Sequence, residues 1–372
     1  MRYHVLKRGK GRPAVARASS RCASRKARPG WGTMTTHTQR NANLQCQHRR
    51  WTEGRYLTAL TMYVKNGRVA TTVFLVATMI YTVIFNAFAG SGQPPFNNPT
   101  GNVSDQLFTC ITPAGFTFSI WAIIYICLIL IVIYAIALLF LKTEQVEAWK
   151  LGGAISTSFI LVLAINLNLN VGWLFAWDAI NVTGSAIILL LVALTNGIAI
   201  SLALYNFSKD AARLNTQSKF HFWCGILVIN GMGIYDTWTT LASFLNLTIF
   251  FKYKVELDSN AVCLGMLIFI LVAFIGWFIL ENTVLKVFAN PLITHYMVLV
   301  WAMVGIYEEQ QDLVSEEVTA LIIALMAAGS FMLVVRIVLI IYRNNNNAIY
   351  RRPNLQNGSK VDTDTPRIAI IQ

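Results

Sequence analysis

Three short stretches of this 372-residue chain carry side chains suited to holding a flat organic molecule. The first is the proline-led run Thr112 to Tyr125, in which Phe118, Trp121 and Tyr125 recur at intervals of three and four. The second holds Asn166, Asn170, Trp173 and Trp177 at the same period, with Asn168 off the stripe. The third holds Tyr235, Trp238, Ala242 and Asn246. On a helix this spacing puts each set on one face. Aromatic walls suit a planar apolar ligand, and one or two amides can orient its polar edge. The residues assigned to such a site are Phe118, Trp121, Tyr125, Asn170, Trp173, Trp238, Ala242 and Asn246. Trp121, Trp173 and Trp238 would stack on the ligand, while Tyr125, Asn170 and Asn246 would fix its polar groups. The competing explanation is packing, since Asn bonds between membrane helices at about 0.6 kcal/mol each and Trp marks the interface.

Asp236 carries a second kind of chemistry. It lies near the middle of a long apolar run, where a carboxylate is costly and serves as a proton-relay or cation-coupling group by default. Gly231 and Gly233 precede it, and a helix starting only near Asn230 would instead put Asp236 close to a cytosolic end. Glu281 and His295 fall near span ends, where interfacial solvation explains them. No nucleophile beside a base, no metal-ligand cluster and no phosphate-binding glycine loop can be assembled, so the expectation is a protein without catalysis or metal.

These residues sit in a chain that is 55% hydrophobic and only 13% charged, far below the quarter usual in soluble domains. Apolar stretches long enough to cross a hydrocarbon core of about 30 Å predict eight spans. They fall at residues 69–89, 117–141, 154–176, 184–206, 222–251, 262–282, 291–307 and 318–342. The 222–251 stretch is long and the 291–307 stretch short, so seven or nine spans remain open. The fold class is thus all-α and polytopic.

In a soluble protein the net charge of +13 would suggest nucleic acid, but its distribution argues for a membrane instead. Residues 1–68 hold sixteen Lys and Arg against one acid, Glu53, whereas 90–116, 177–183 and 308–317 hold no Lys or Arg. Basic residues therefore alternate with the spans, which places both termini in the cytosol, with Lys252 and Lys254 the exception. Sequons at Asn102 and Asn181 fall on the external side and are candidate glycosylation sites. Those at Asn206, Asn246 and Asn357 do not. Of six cysteines, only Cys110 is assigned to the external side, and no disulfide framework follows.

The rise per residue converts position to depth. Trp121 lies about 12 Å below Pro113, Asn170 and Trp173 about 9 and 5 Å from Ala176, and Asn246 about 8 Å from Phe251. All share the outer half of the bilayer. Amides there must face the bundle or a cavity.

The runs Pro113 to Tyr125, Asn170-X-X-Trp173 followed by Phe175, and Trp238-X-X-Leu241-Ala242-X-X-Leu245-Asn246 resemble signatures of the tryptophan-rich sensory protein family, also called TspO/MBR or translocator proteins. They come in that family's order, on the second, third and fifth spans. The resemblance covers about 69–251, and Leu299 to Ile306 is similar to the seventh-span segment of longer proteins of this type. Where the family usually has Pro-Pro-X-Trp before the second span this chain has Pro113 with Phe116 and Phe118, and several of the family's first-loop tryptophans are missing from 90–112. The resemblance implies a five-helix bundle that binds porphyrin or haem-type molecules, sterols or similar planar ligands, with the first loop covering the pocket. The organisation expected is a basic, disordered segment at 1–68, a TspO-like bundle at 69–251, three further helices at 252–342 and a polar tail at 343–372.

The functional expectation is binding or translocation of a planar apolar ligand in a lipid bilayer, with homo-oligomers open and no nucleic acid partner. The alternatives are a proton- or ion-coupled transporter using Asp236, and a structural membrane protein without small ligand. A plasma-membrane or endomembrane location is favoured. The Arg- and Ser-rich residues 1–55 keep a mitochondrial one open.

Overall fold

The computed structural model describes residues 36–143, 146–147 and 153–346. The expectations for residues 1–35 and 347–372 lie outside the described residues. Compact units divide between Gly67 and Arg68. Among the described residues there are nine α-helices: α1 (Thr36–Ser91), α2 (Thr100–Gln106), α3 (Ile120–Phe140), α4 (Thr157–Asp178), α5 (Val182–Gln217), α6 (Lys219–Tyr253), α7 (Ser259–Asn282), α8 (Thr294–Gln310) and α9 (Glu316–Asn346). A 3₁₀ turn at Gly115–Ser119 leads into α3, and a two-residue hairpin, β1 (Lys142–Thr143) with β2 (Val146–Glu147), follows it.

Six helices are long and apolar enough to cross a membrane: those holding Gly54–Ser91, Gly115–Phe140, Thr157–Asp178, Val182–Gln217, Ser259–Asn282 and Glu316–Asn345. The two left out are those predicted at 222–251 and 291–307. α8 has 17 residues, one turn short of a comfortable span. α6 is long but polar, with Thr237, Thr239, Ser243, Asn246 and Thr248 all buried. Its polar groups face other helices, as groups deprived of water must.

α6 is the hub, packing against α3, α5, α7 and α8, while α9 packs on α7 and α8. One apolar core runs through these elements, from Leu75 of α1 to Met332 of α9. Exposed faces are also apolar: Ile123, Ile126, Ile129 and Ile133 point outward from α3. Such all-round hydrophobicity fits a lipid environment.

Helix starts follow from local chemistry. Ser156, Asn181 and Asp258 cap α4, α5 and α7 by accepting hydrogen bonds from Phe159 N, Gly184 N and Ala261 N at 3.1, 2.9 and 2.8 Å. Two expectations about termini change. α1 reaches back to Thr36, so residues 36–67 are helical rather than disordered; no proline interrupts 30–93, and an established span propagates a helix cheaply. α9 likewise continues through Asn344 and Asn345, beyond the tail boundary expected at 343.

Candidate functional site

α6 runs unbroken from Lys219, so its start near Asn230 is not observed and Asp236 lies at its midpoint. Gly231 and Gly233 are close-packing residues instead. A Cβ on Gly233 would sit 2.5 Å from Leu292 and 2.6 Å from Thr294 Oγ1. The Asp236 carboxylate has no ion pair or side-chain hydrogen bond among the described residues, and it faces Gly197 of α5.

The stripes on α3, α4 and α6 meet in two adjoining groups. In the first, Trp121 stacks on Tyr125 with centroids 5.7 Å apart and meets Tyr235 edge-on at 6.2 Å. Phe118 meets Trp238 edge-on at 6.1 Å. In the second, Asn86 of α1 donates to Asn170 Oδ1 at 3.1 Å. Trp173 Nε1 donates to Asn246 Oδ1 at 3.5 Å and stacks on Trp177 at 5.5 Å. Asn246 also donates to Ala242 O at 3.2 Å. Along α6, Trp238 belongs to the first group and Asn246 to the second, with Ala242 between them; Leu245 packs against both cores.

The rings and amides pack against one another: Asn170, Trp173, Trp238 and Asn246 are buried, with Trp238 5% and Asn170 1% exposed, while Phe118, Trp121, Tyr125 and Ala242 are half-buried. Three donors within it stay buried without an acceptor, Tyr125 OH, Trp238 Nε1 and Asn170 Nδ2. The hydroxyl of Tyr235, beside them, is likewise buried with no hydrogen-bond partner. Each buried unmet donor costs about 1–3 kcal/mol, a cost that an acceptor-bearing guest would relieve.

Some stripe residues are packing groups. Asn166 Nδ2 donates to Val192 O and Thr195 Oγ1, both at 2.8 Å, tying α4 to α5. Asn168 bonds Tyr81 of α1. Asn86 and Tyr235 were absent from the assigned set and belong beside it. A lone Asn in the first apolar span was the available signal for Asn86.

Trp121 stands in the first turn of α3, because the chain between Pro113 and Ile120 is extended and then 3₁₀ rather than α-helical. Its depth therefore cannot be counted at the α-helical rise from Pro113.

Above the site, residues 107–119 are fastened to the C-terminal helices. Cys110 and Cys263 form a disulfide with Cα atoms 6.2 Å apart, correcting the expectation that no pairing follows. Cys263 sits one turn into α7, at the end where the 107–119 loop lies. Gln310 Nε2 donates to Thr109 O and Thr112 O at 3.0 and 2.9 Å. Ala114 N donates to Gly305 O at 2.9 Å, and Trp301 Nε1 to Thr117 O at 3.0 Å. Lys252, the exception to the charge pattern, spends its ammonium on Phe108 O at 2.8 Å. Asp178 accepts from the Asn97 and Asn98 amides at 2.9 and 2.8 Å, pinning the preceding loop segment to α4.

The contact at Gly305 leaves no room for a side chain, since a Cβ there would collide with the Oγ1, Cγ2 and Cβ of Thr117. Gly305→Ala should therefore cost about 1–3 kcal/mol by overpacking. Thermal unfolding should show the loss, and hydrogen exchange should rise across 107–119.

Glu281 and His295 are far from solvated, at 0% and 5% exposure. Tyr296 OH donates to Glu281 Oε1 at 2.6 Å, and Arg336 Nε lies 3.6 Å from the same oxygen. His295 Nε2 lies 3.4 Å from Glu281 Oε2 and accepts from Trp277 Nε1 at 3.1 Å. A lone Arg within an apolar span announces a buried partner.

A helical membrane protein with an aromatic and amide interior, closed on one side by a stapled loop, is the class these features define. Residues 72–340 match the model of the family described as TSPO-like protein, and the chain belongs to that family. The match runs through all three helices beyond residue 251. No curated protein and no solved structure matches the chain.

Proposed function

We propose that this TSPO-type membrane protein binds or passes a planar apolar ligand carrying hydrogen-bond acceptors, of the tetrapyrrole or sterol kind, between α1, α3, α4 and α6. The observation that carries the reading is the set of buried, unmet donors Tyr125 OH, Trp238 Nε1 and Asn170 Nδ2 among stacked rings. Trp121, Trp173 and Trp238 supply stacking surface, worth about 0.5–1.5 kcal/mol per aromatic contact beyond area burial. The ligand enters by separating rings that otherwise pack against one another. No catalytic step is assigned.

Both termini are placed in the cytosol and the 107–119 loop outside, in a plasma membrane or endomembrane. The Cys110–Cys263 bond supports this, since disulfides persist on oxidising faces. The exposed sequon residues Asn102 and Asn181 lie on the same side.

Titration of the purified chain with protoporphyrin should quench tryptophan emission saturably, and Trp121→Ala or Trp238→Ala should weaken binding about tenfold or more. Unsaturable quenching, or variants that match the parent, would remove the pocket. A second reading rests on Asp236, a carboxylate at the middle of α6 with no ion pair among the described residues. Proton-dependent uptake lost in Asp236→Asn, with porphyrin binding unchanged, would favour a coupled transporter.

A further inference from the structure

At the end of the bundle opposite the disulfide, Arg68 of α1 is only 4% exposed. Its Nη2 donates to Ile155 O at 3.0 Å, its Nε is buried with no partner, and no carboxylate among the described residues pairs with it. A buried guanidinium without a counter-ion is an expensive arrangement, and its planar fork matches the oxygens of a phosphate. Beside it, within electrostatic reach of the guanidinium, stands Tyr134 of α3, whose hydroxyl shares a 2.9 Å hydrogen bond with His221 Nδ1 of α6. Tyr134 also meets Phe220 edge-on at 6.3 Å. Phe220 and Trp223 are 60% and 63% exposed on the outer face of α6. Aromatic side chains of this exposure sit at headgroup depth, and basic pockets between helices at that depth take phosphorylated headgroups.

We propose that Arg68 of α1, Tyr134 of α3 and His221 of α6 form a phosphate site, occupied by the headgroup of an anionic phospholipid whose glycerol region rests against Phe220 and Trp223. The phosphate supplies the counter-charge that the protein withholds from Arg68. The site is separate from the aromatic one and does not depend on the proposed ligand.

Native mass spectrometry of the delipidated full chain, back-titrated with phosphatidylglycerol or with phosphatidylcholine, tests this. The parent should retain one phosphatidylglycerol in preference to phosphatidylcholine. Arg68→Gln should weaken that retention about tenfold, and Arg68→Lys, which keeps the charge but loses the fork, by about threefold. Lys209→Gln, an exposed basic control, should leave it unchanged. Displacement of the lipid by millimolar inorganic phosphate would support the anion site with free phosphate as its occupant. No preference in the parent, or equal retention by both Arg68 variants, would overturn it; if Arg68→Gln does not fold, the parent preference and Arg68→Lys decide.

Discussion

Arg336→Ala should destabilise the α7–α9 unit by about 3–5 kcal/mol, the largest single effect expected in this chain. The guanidinium is fully buried, and its hydrogen bonds define the end of three helices. Nη1 donates to Asn282 Oδ1 at 2.8 Å, Nη2 to Ala289 O at 2.5 Å and Nε to Leu292 O at 3.3 Å. Alanine would leave the Glu281 carboxylate without its cation and strip two carbonyls in the α7–α8 connection of a donor. Burying an unpaired charge is costlier than never having had the pair. Thus Glu281→Leu with Arg336→Leu should recover most of the loss, since the double change removes both charges. Thermal unfolding of the solubilised protein compares the double change with each single one. A single variant within about 1 kcal/mol of the parent, or a double variant worse than either single one, would contradict this view.

Cys110→Ser should cost about 2–4 kcal/mol, because the bond closes a segment of 153 residues and chain entropy rises with loop length. The lower part of that range is expected, since helices already inserted in a bilayer have less freedom to lose. Gln310 and the Ala114–Gly305 hydrogen bond still hold the loop, so the variant should keep its fold while hydrogen exchange across 107–119 increases. Non-reducing peptide mapping of the parent should recover the Cys110 and Cys263 peptides joined. An unchanged midpoint together with separate peptides would show that the staple does not form.

Apolar length and helical period made the helices legible in the sequence. So were Trp121, Tyr125, Trp173, Trp238 and Asn246, whose spacing reports a shared face whatever the neighbours are. What stayed hidden depended on tertiary partners. Cys263 looked like a residue inside a span until the 107–119 loop folded over its end. Glu281 and His295 looked solvated because span ends usually are, and only the arrival of Arg336 from a helix 41 to 55 residues later explains their burial. Gly233 read as a helix breaker when it is a contact point for Leu292 and Thr294. Asn166 and Asn170 share one stripe, yet one bonds α5 and the other faces α1, a division that periodicity alone cannot make.

The central claim is that a planar ligand lies between α1, α3, α4 and α6. A photoactivatable protoporphyrin, crosslinked to the reconstituted full chain and mapped by peptide mass spectrometry, tests it most directly. Labels should concentrate on residues 118–125, 170–177 and 235–246, and excess unmodified protoporphyrin should suppress them. Labels confined to lipid-facing positions such as Ile126 and Ile133 of α3 or Ile268 and Val272 of α7, unaffected by competitor, would contradict the account.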